Sequence, residues 1–138
     1  MPILRTHGEV GVTFAMKNHY GSFDIPQEFH AEFSHSLPEL NSQRPIMAKT
    51  RLIIGDLLTP GARSDPIGYS IMGSGDSILR TFDCVVHDAA GMAIAEKLEP
   101  GSAFIKFQSN KWLDTAAEME MGTNNPARMD YIEQASSK

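Results

Sequence analysis

Short apolar runs separated by polar turns predict the strands of this chain. Residues 50–58 are the clearest case, because Leu52, Ile53 and Ile54 form the compact run typical of a strand buried in a parallel sheet. Residues 2–5, 77–82 and 129–134 are shorter strand candidates. Residues 59–76 are rich in Gly, Pro, Ser and Asp, and this composition predicts a long loop.

Apolar residues at helical spacing predict the helices. Residues 26–41 carry such a stripe, and Pro38 predicts a kink or break in that helix. Residues 83–98 predict a second helix, with Asp83 as its N-cap and Pro100 and Gly101 as its stop. Residues 111–121 predict a third helix, which Gly122 would end. The predicted apolar face of the second helix consists of Val86, Ala90, Ala93, Ile94 and Leu98.

Strands that alternate with helices predict an α/β domain with a layered, partly parallel sheet flanked by helices. A complete domain of this class usually has more strands than the three or four that the pattern indicates here. We therefore expect residues 1–138 to form a single domain that is an incomplete portion of a larger α/β domain.

The segment GVTFAMKNHYGSF, residues 11–23, places a polar cluster directly after an apolar run. One interpretation is structural: residues 13–16 are a buried helical segment, the polar residues are its solvated last turn, and Gly21 ends it. The other is functional, because an ammonium, an amide, an imidazole and a phenol together can bind an anion or move a proton. The spacing is compatible with both.

Composition excludes several classes of function. The net charge of −5, without a dense Lys/Arg cluster, argues against nucleic-acid binding, which depends on neutralising phosphates. No apolar run approaches the length of a membrane span. Cys84 is the only cysteine, so an iron–sulfur cluster would need thiolates from a partner or a missing segment. Nothing at the N-terminus marks export, and we expect a cytoplasmic protein.

Three carboxylates are candidate ligands for a hard divalent metal. Asp83 and Asp88 lie five positions apart around the start of the predicted second helix, and Asp56 ends the clearest strand. In the alternative interpretation, which we favour, Asp83 caps the helix and Asp88 lies in its positive first turns, so that capping and the helix dipole explain both residues without a ligand.

Several segments, in this order and spacing, resemble those of a known family. They are HGEVGVTFAMKNHYGSF, His30, Glu39-Leu40-Asn41, Lys49-Thr50-Arg51-Leu52 followed by Asp56, SILRTFDCVVHDAAG and AAEMEMGTNNPARMDYIE. Together they resemble the domain of unknown function 362 (DUF362) family over nearly the whole chain, mapped onto the C-terminal half of that family's domain. The departures are Arg5, where the family more often has lysine, Cys84 in place of proline, and the polar His87.

The resemblance implies a ligand site at the carboxyl ends of parallel strands, where open α/β sheets bind their ligands. A lysine there would neutralise a phosphate or carboxylate, an asparagine would orient it, and a histidine would exchange a proton near neutral pH. Lys17 and His30 are accordingly the catalytic candidates. The ligand-binding candidates are His7, Lys17, Asn18, Gly21 and Asn41.

Three functions remain open on this basis. In the first, which we favour, the chain is redox-associated like the iron–sulfur members of the family, and contributes a ligand-binding half-site without its own cluster. Its partner would then be a ferredoxin-like chain or a missing N-terminal half. In the second, it is an enzyme fragment that binds a small anion or a divalent metal. In the third, it is an inactive fragment whose exposed sheet edge and apolar surface require a partner. Whether the chain is an enzyme stays open.

Overall fold

A computed structural model describes residues 1–30, 32–64, 68–102 and 111–135. Within these residues the apolar runs form a mixed sheet with flanking helices, which confirms the α/β class with a partly parallel sheet. The strands are β1 (Ile3–His7), β2 (Gly11–Thr13), β3 (Ile53–Ser64), β4 (Gly68–Ile71) and β5 (Ile78–Thr81). The helices are α1 (Phe33–Ser42), α2 (Arg44–Met47), α3 (Cys84–Leu98) and α4 (Lys111–Glu118). Short 3-10 helices span Met16–Gly21, Pro26–Phe29 and Pro126–Arg128.

The long strand β3 lies at the centre of the sheet. One edge of β3 pairs in parallel with β1, and its other edge pairs antiparallel with β5 and then with β4. β1 pairs antiparallel with β2 on its far side. The parallel pair β1 and β3 therefore supports the α/β prediction, while hairpin-like pairs complete the sheet.

The prediction of a loop over residues 59–76 was wrong for its first and middle parts. β3 continues to Ser64, and its residues 61–64 pair with residues 68–71 of β4. This pairing supplies backbone hydrogen bonds that composition does not reveal. Pro60 is tolerated in β3 because the register against β1 shifts between Ile3 and Arg5, which places the proline at an irregularity of the ladder.

Several predicted helix and strand boundaries also needed correction. The helical segment that one interpretation placed from residue 13 to Gly21 begins only at Met16, because residues 11–13 pair with β1. Pro38 lies inside α1 without ending it, because its buried position among the packed residues of α1 offsets the lost hydrogen bond. Among the described residues, no helix has both the length and the apolar composition needed to cross a membrane.

The predicted strand at residues 129–134 is absent. Tyr131 is 72% exposed and Ile132 is 87% exposed, and no described strand pairs with them. A strand is stable only when a neighbouring strand accepts and donates its backbone hydrogen bonds, so the apolar alternation misled the prediction here.

Helix α3 confirms its predicted capping and ending but turns a different face to the core. Asp83 is its N-cap, and the helix ends at Leu98, just before Pro100. The helix approaches the sheet closely at Gly91, where a methyl group would collide with Phe14. Of the predicted apolar face, Ala93 is exposed and the other members are only half-buried. The buried residues are instead Val85, His87, Asp88, Gly91, Met92 and Ala95.

The sheet has one covered face and one open face. Leu4, Thr6 and Leu57 point toward α3 and are buried. The alternate residues of β1, β3 and β5 point the other way. We call this second surface the open face; its apolar members are Ile3, Ile54, Leu58 and Ile78, which are 37% to 55% exposed.

Candidate functional site

Side chains of β1 and β2 on the open face border a shallow pocket of about 430 Å³. The hairpin register places Thr13 opposite Arg5. Because side chains alternate along a strand, Arg5 and His7 lie on the same face. The 3-10 helix that follows β2 adds Lys17 and Asn18. We call this cavity the basic pocket; its lining consists of Met1, Pro2, Ile3, Arg5, His7, Thr13, Phe14, Lys17 and Asn18.

Lys17 is the half-buried cation of the basic pocket. Its Nζ lies 4.9 Å from the centre of the Tyr20 ring and 5.4 Å from the centre of the Phe33 ring. At these distances the ring faces attract an ammonium group. Burial lowers the pKa of Lys17, and the negative charge of Glu9 partly opposes that shift. An anion in the pocket would act in the same direction as Glu9, because nearby negative charge favours the ammonium form.

His7 and His30 both contact the ring of Phe33, but only His7 borders the basic pocket. The Nδ1 atom of His7 accepts a hydrogen bond from the Glu9 N–H at 3.2 Å. His30 is exposed, and its Nδ1 lies 2.7 Å from the Pro26 carbonyl oxygen. The structure therefore brings one of the two predicted histidines to Lys17 and Asn18, and leaves His30 on the outside of the aromatic cluster.

Gly21 and Asn41, predicted as ligand-binding residues, lie outside the pocket lining. Gly21 is the exposed last residue of its 3-10 helix. Asn41 is buried, and its Nδ2 donates to the carbonyl oxygens of Met16 at 3.0 Å and Leu37 at 2.9 Å. Asn41 thus connects the 3-10 helix to α1 through hydrogen bonds. This structural role accounts for its side-chain amide without a ligand.

Asp88 reaches across the core to the same 3-10 helix. Its two carboxylate oxygens accept hydrogen bonds from the N–H groups of Ala15 at 2.6 Å and Met16 at 2.9 Å. The side chain is 1% exposed. Burial raises the pKa of Asp88 to about 7, and the two backbone hydrogen bonds oppose that rise. Asp88 therefore binds backbone amides immediately before Lys17.

The other two predicted metal ligands are engaged separately. Asp83 accepts hydrogen bonds from the N–H groups of Val85 and Val86, as the capping interpretation predicted, and also from Thr123. Asp56 accepts from the N–H of Leu58 at 2.8 Å. Within the described residues no three His, Cys, Asp or Glu side chains lie close enough together to hold a metal ion. The structure thus does not assemble Asp56, Asp83 and Asp88 into one site.

Two features of the site escaped the residue-by-residue prediction. Arg5 entered it only as a departure from a family pattern, yet it lines the basic pocket. Its spacing of two from His7 in a strand is the signal that places both on one face. The second feature is His87, which is fully buried against Phe14 with ring centroids 4.4 Å apart. Its Nδ1 lies 3.1 Å from Thr81 Oγ1, and burial lowers its pKa to about 4.

A larger pocket, of about 570 Å³, lies away from these residues. It opens between the end of the 3-10 helix and the α1–α2 region, and apolar side chains dominate its surface. Burial lowers the pKa of His19 at its edge. Its lining consists of His19, Ser22, Phe23, Leu40, Gln43, Pro45, Ile46, Lys49 and Thr50.

Comparison with known proteins adds one match. The family model described as "Domain of unknown function (DUF362)" matches residues 1–93, which include β1 to β5 and the first part of α3. No curated protein and no solved structure matches the chain.

Proposed function

This chain belongs to the domain of unknown function 362 family, and from that premise we propose that its basic pocket binds a small anion and is half of a site that a partner chain completes. The observation that carries this proposal is the convergence of Arg5, His7 and Lys17 on one pocket of a chain whose net charge is −5. A guanidinium fork and an ammonium group are the donors that recognise phosphate and carboxylate groups. Asn18 adds an amide that can orient the anion.

The environment of Lys17 supports anion binding. Its ammonium group has lost part of its hydration and lies over two aromatic faces. Solvent screens such a charge less than that of a lysine in bulk water. A bound anion would restore the electrostatic stabilisation that burial removes.

The open face supports a partner chain. The basic pocket opens on the face that carries Ile3, Ile54, Leu58 and Ile78. Asp56 lies between Ile3 and Ile78 in the register of the sheet, and the half-exposed apolar residues around it favour a surface that another protein covers. A chain that covered the open face would also close the pocket from above, which is why we describe the pocket as a half-site.

The family resemblance adds a redox association to this proposal, with a ferredoxin-like or other electron-carrying partner. The chain has one cysteine, and burial raises the pKa of its thiol to about 12. Because a metal cluster is held by thiolates, the ligands of any iron–sulfur cluster would come from that partner. The chain itself would supply the anion site beside it.

Titration with inorganic phosphate, followed by amide chemical shifts, tests the anion site. Phosphate should shift the signals of residues 5–7 and 17–18. Lys17→Met should weaken its affinity by about tenfold, since one charge-assisted contact is lost. Lys49→Met is the matched control, because Lys49 is an exposed lysine at the other pocket. Absence of shifts in the unmodified chain, or an equal loss in the Lys49 variant, would contradict the proposal.

The proposed partner surface can be tested with the isolated chain. Exposed apolar sheet residues should bind a hydrophobic dye and cause self-association in light scattering, and Ile78→Glu on the open face should reduce both effects. Ile132→Glu is the control, since Ile132 is more exposed but lies outside the sheet. A monodisperse, cooperatively unfolding monomer that binds no dye would count against a partner surface.

A further inference from the structure

The backbone segment that carries Lys17 and Asn18 is held by groups distant from it in sequence. Ala15 donates its N–H to Asp88, and its carbonyl oxygen accepts from the Asn18 N–H at 3.1 Å. Met16 likewise donates its N–H to Asp88, while its carbonyl oxygen accepts from Asn41. The backbone N–H groups of both residues immediately before Lys17 are therefore held by one carboxylate.

A carboxylate matches this arrangement fully, and Asp88 is ionised mainly above pH 7, because burial raises its pKa to about 7. Two adjacent N–H groups at the start of a helix present two donors and a partial positive charge. A carboxylate offers two acceptor oxygens to them, whereas a side-chain amide offers one acceptor and one donor. An asparagine at position 88 would thus place its NH₂ group against a backbone N–H. Because interiors are tightly packed, the segment would have to shift to relieve that contact.

We propose that Asp88 is a positioning residue of the basic pocket: its carboxylate fixes residues 15 and 16 and so places Lys17 and Asn18 beside Arg5 and His7. This inference rests on the anion binding proposed above. It also links two segments that are far apart in the sequence, VVHDAAG on α3 and GVTFAMKN at the pocket. In this arrangement α3 takes part in the anion site without touching the ligand.

The test compares Asp88→Asn with Asp83→Asn in the full chain, with inorganic phosphate as the probe. Both variants replace a carboxylate near the start of α3 that accepts backbone hydrogen bonds, but only Asp88 accepts them from residues 15 and 16. Asp88→Asn should weaken phosphate binding by about tenfold, because the shift of residues 15 and 16 displaces Lys17 and with it the charge-assisted contact between Lys17 and phosphate. Asp83→Asn should leave the affinity within about twofold of that of the unmodified chain, because Asp83 binds the N–H groups of Val85, Val86 and Thr123 and, within the described residues, none near Lys17.

A spectroscopic readout separates positioning from a general loss of stability. In the unmodified chain above pH 7, where Asp88 with its pKa of about 7 is ionised, the amide protons of Ala15 and Met16 should resonate far downfield and exchange slowly, because both bind a buried carboxylate. If Asp88→Asn fails to fold, ordinary shifts and fast exchange of these two protons in the unmodified chain would still overturn the inference.

The two proposals fail in different ways. If the unmodified chain gives no phosphate-dependent shifts, the anion site itself is wrong. If the chain binds phosphate and Asp88→Asn binds it equally well, only the positioning role is wrong. An equal loss of affinity in the Asp83 and Asp88 variants would likewise reduce Asp88 to a contributor to folding stability.

Discussion

The adjacent buried residues His87 and Asp88 should give folding stability two opposing dependences on pH. Burial lowers the pKa of His87 from 6.5 to about 4. Between these values the unfolded chain holds a proton that the folded chain lacks, so the contribution of His87 to stability is present above pH 6.5 and is lost as the pH falls. Burial raises the pKa of Asp88 from 3.8 to about 7. Between these two pH values the folded chain holds a proton that the unfolded chain lacks. The contribution of Asp88 to folding stability is therefore present below pH 3.8 and is lost as the pH rises through 7.

The magnitudes follow from the size of the shifts. One unit of pKa difference between the folded and unfolded states corresponds to about 1.4 kcal/mol. His87 should therefore change the unfolding free energy by about 3 kcal/mol across its range, and Asp88 by about 4 kcal/mol in the opposite direction. Because the two ranges overlap, the two contributions largely cancel in the unmodified chain.

Single substitutions should reveal each contribution. We would measure urea unfolding of the unmodified chain, His87→Leu and Asp88→Asn between about pH 4 and about pH 7.5, and subtract the unmodified profile from each variant profile. The Asp88→Asn difference should rise with pH by about 4 kcal/mol, and the His87→Leu difference should fall by about 3 kcal/mol. Difference profiles that are both flat to within about 1 kcal/mol would refute the assignment of shifted protonation to this buried pair.

Three further outcomes are expected from other parts of the structure. Asp83→Ala should cost about 1 kcal/mol of unfolding free energy through the lost N-cap, measured by urea unfolding, and should leave phosphate affinity unchanged; an unaltered midpoint would argue against the cap. Gly55→Ala should cost about 1 to 3 kcal/mol of unfolding free energy, because its methyl group would collide with the rings of Phe14 and His87. Gly21→Ala should be neutral in the same urea unfolding experiment, because open space surrounds Gly21. Cys84 should react with a disulfide reagent far more slowly in the folded chain than in urea, because a pKa raised from 9.0 to about 12 reduces its thiolate about a thousandfold; equal rates would contradict its burial.

The sequence pattern was most informative where local interactions decide the structure. It placed strands at the positions of β1 and β5 and at the start of β3, and it identified α3 with its Asp83 cap. Capping, helix ends and short apolar runs depend on neighbouring residues, so they can be predicted locally. The pattern failed for β4 and for residues 129–134, because strand formation depends on a partner that lies elsewhere in the chain.

The candidate site shows the same division. The family resemblance selected His7, Lys17 and Asn18, and the structure brings these three to one pocket. The resemblance also selected Asn41, and the weighing of carboxylates selected Asp88; the structure places both on the backbone of residues 15 and 16. A motif identifies residues that belong together but does not distinguish a group that faces the ligand from one that holds the segment behind it.

The fold class, the family and the capping of α3 could be predicted without a structure, because apolar periodicity, motif order and capping residues can be read directly along the chain. The buried face of α3, in contrast, depends on its packing against distant segments. Its buried stripe includes the polar His87 and Asp88, because Gly91 lets the helix approach Phe14 and because the Asp88 carboxylate accepts hydrogen bonds from backbone N–H groups of another segment. Hydrogen bonds between residues more than seventy positions apart determine that choice, and no local pattern contains them.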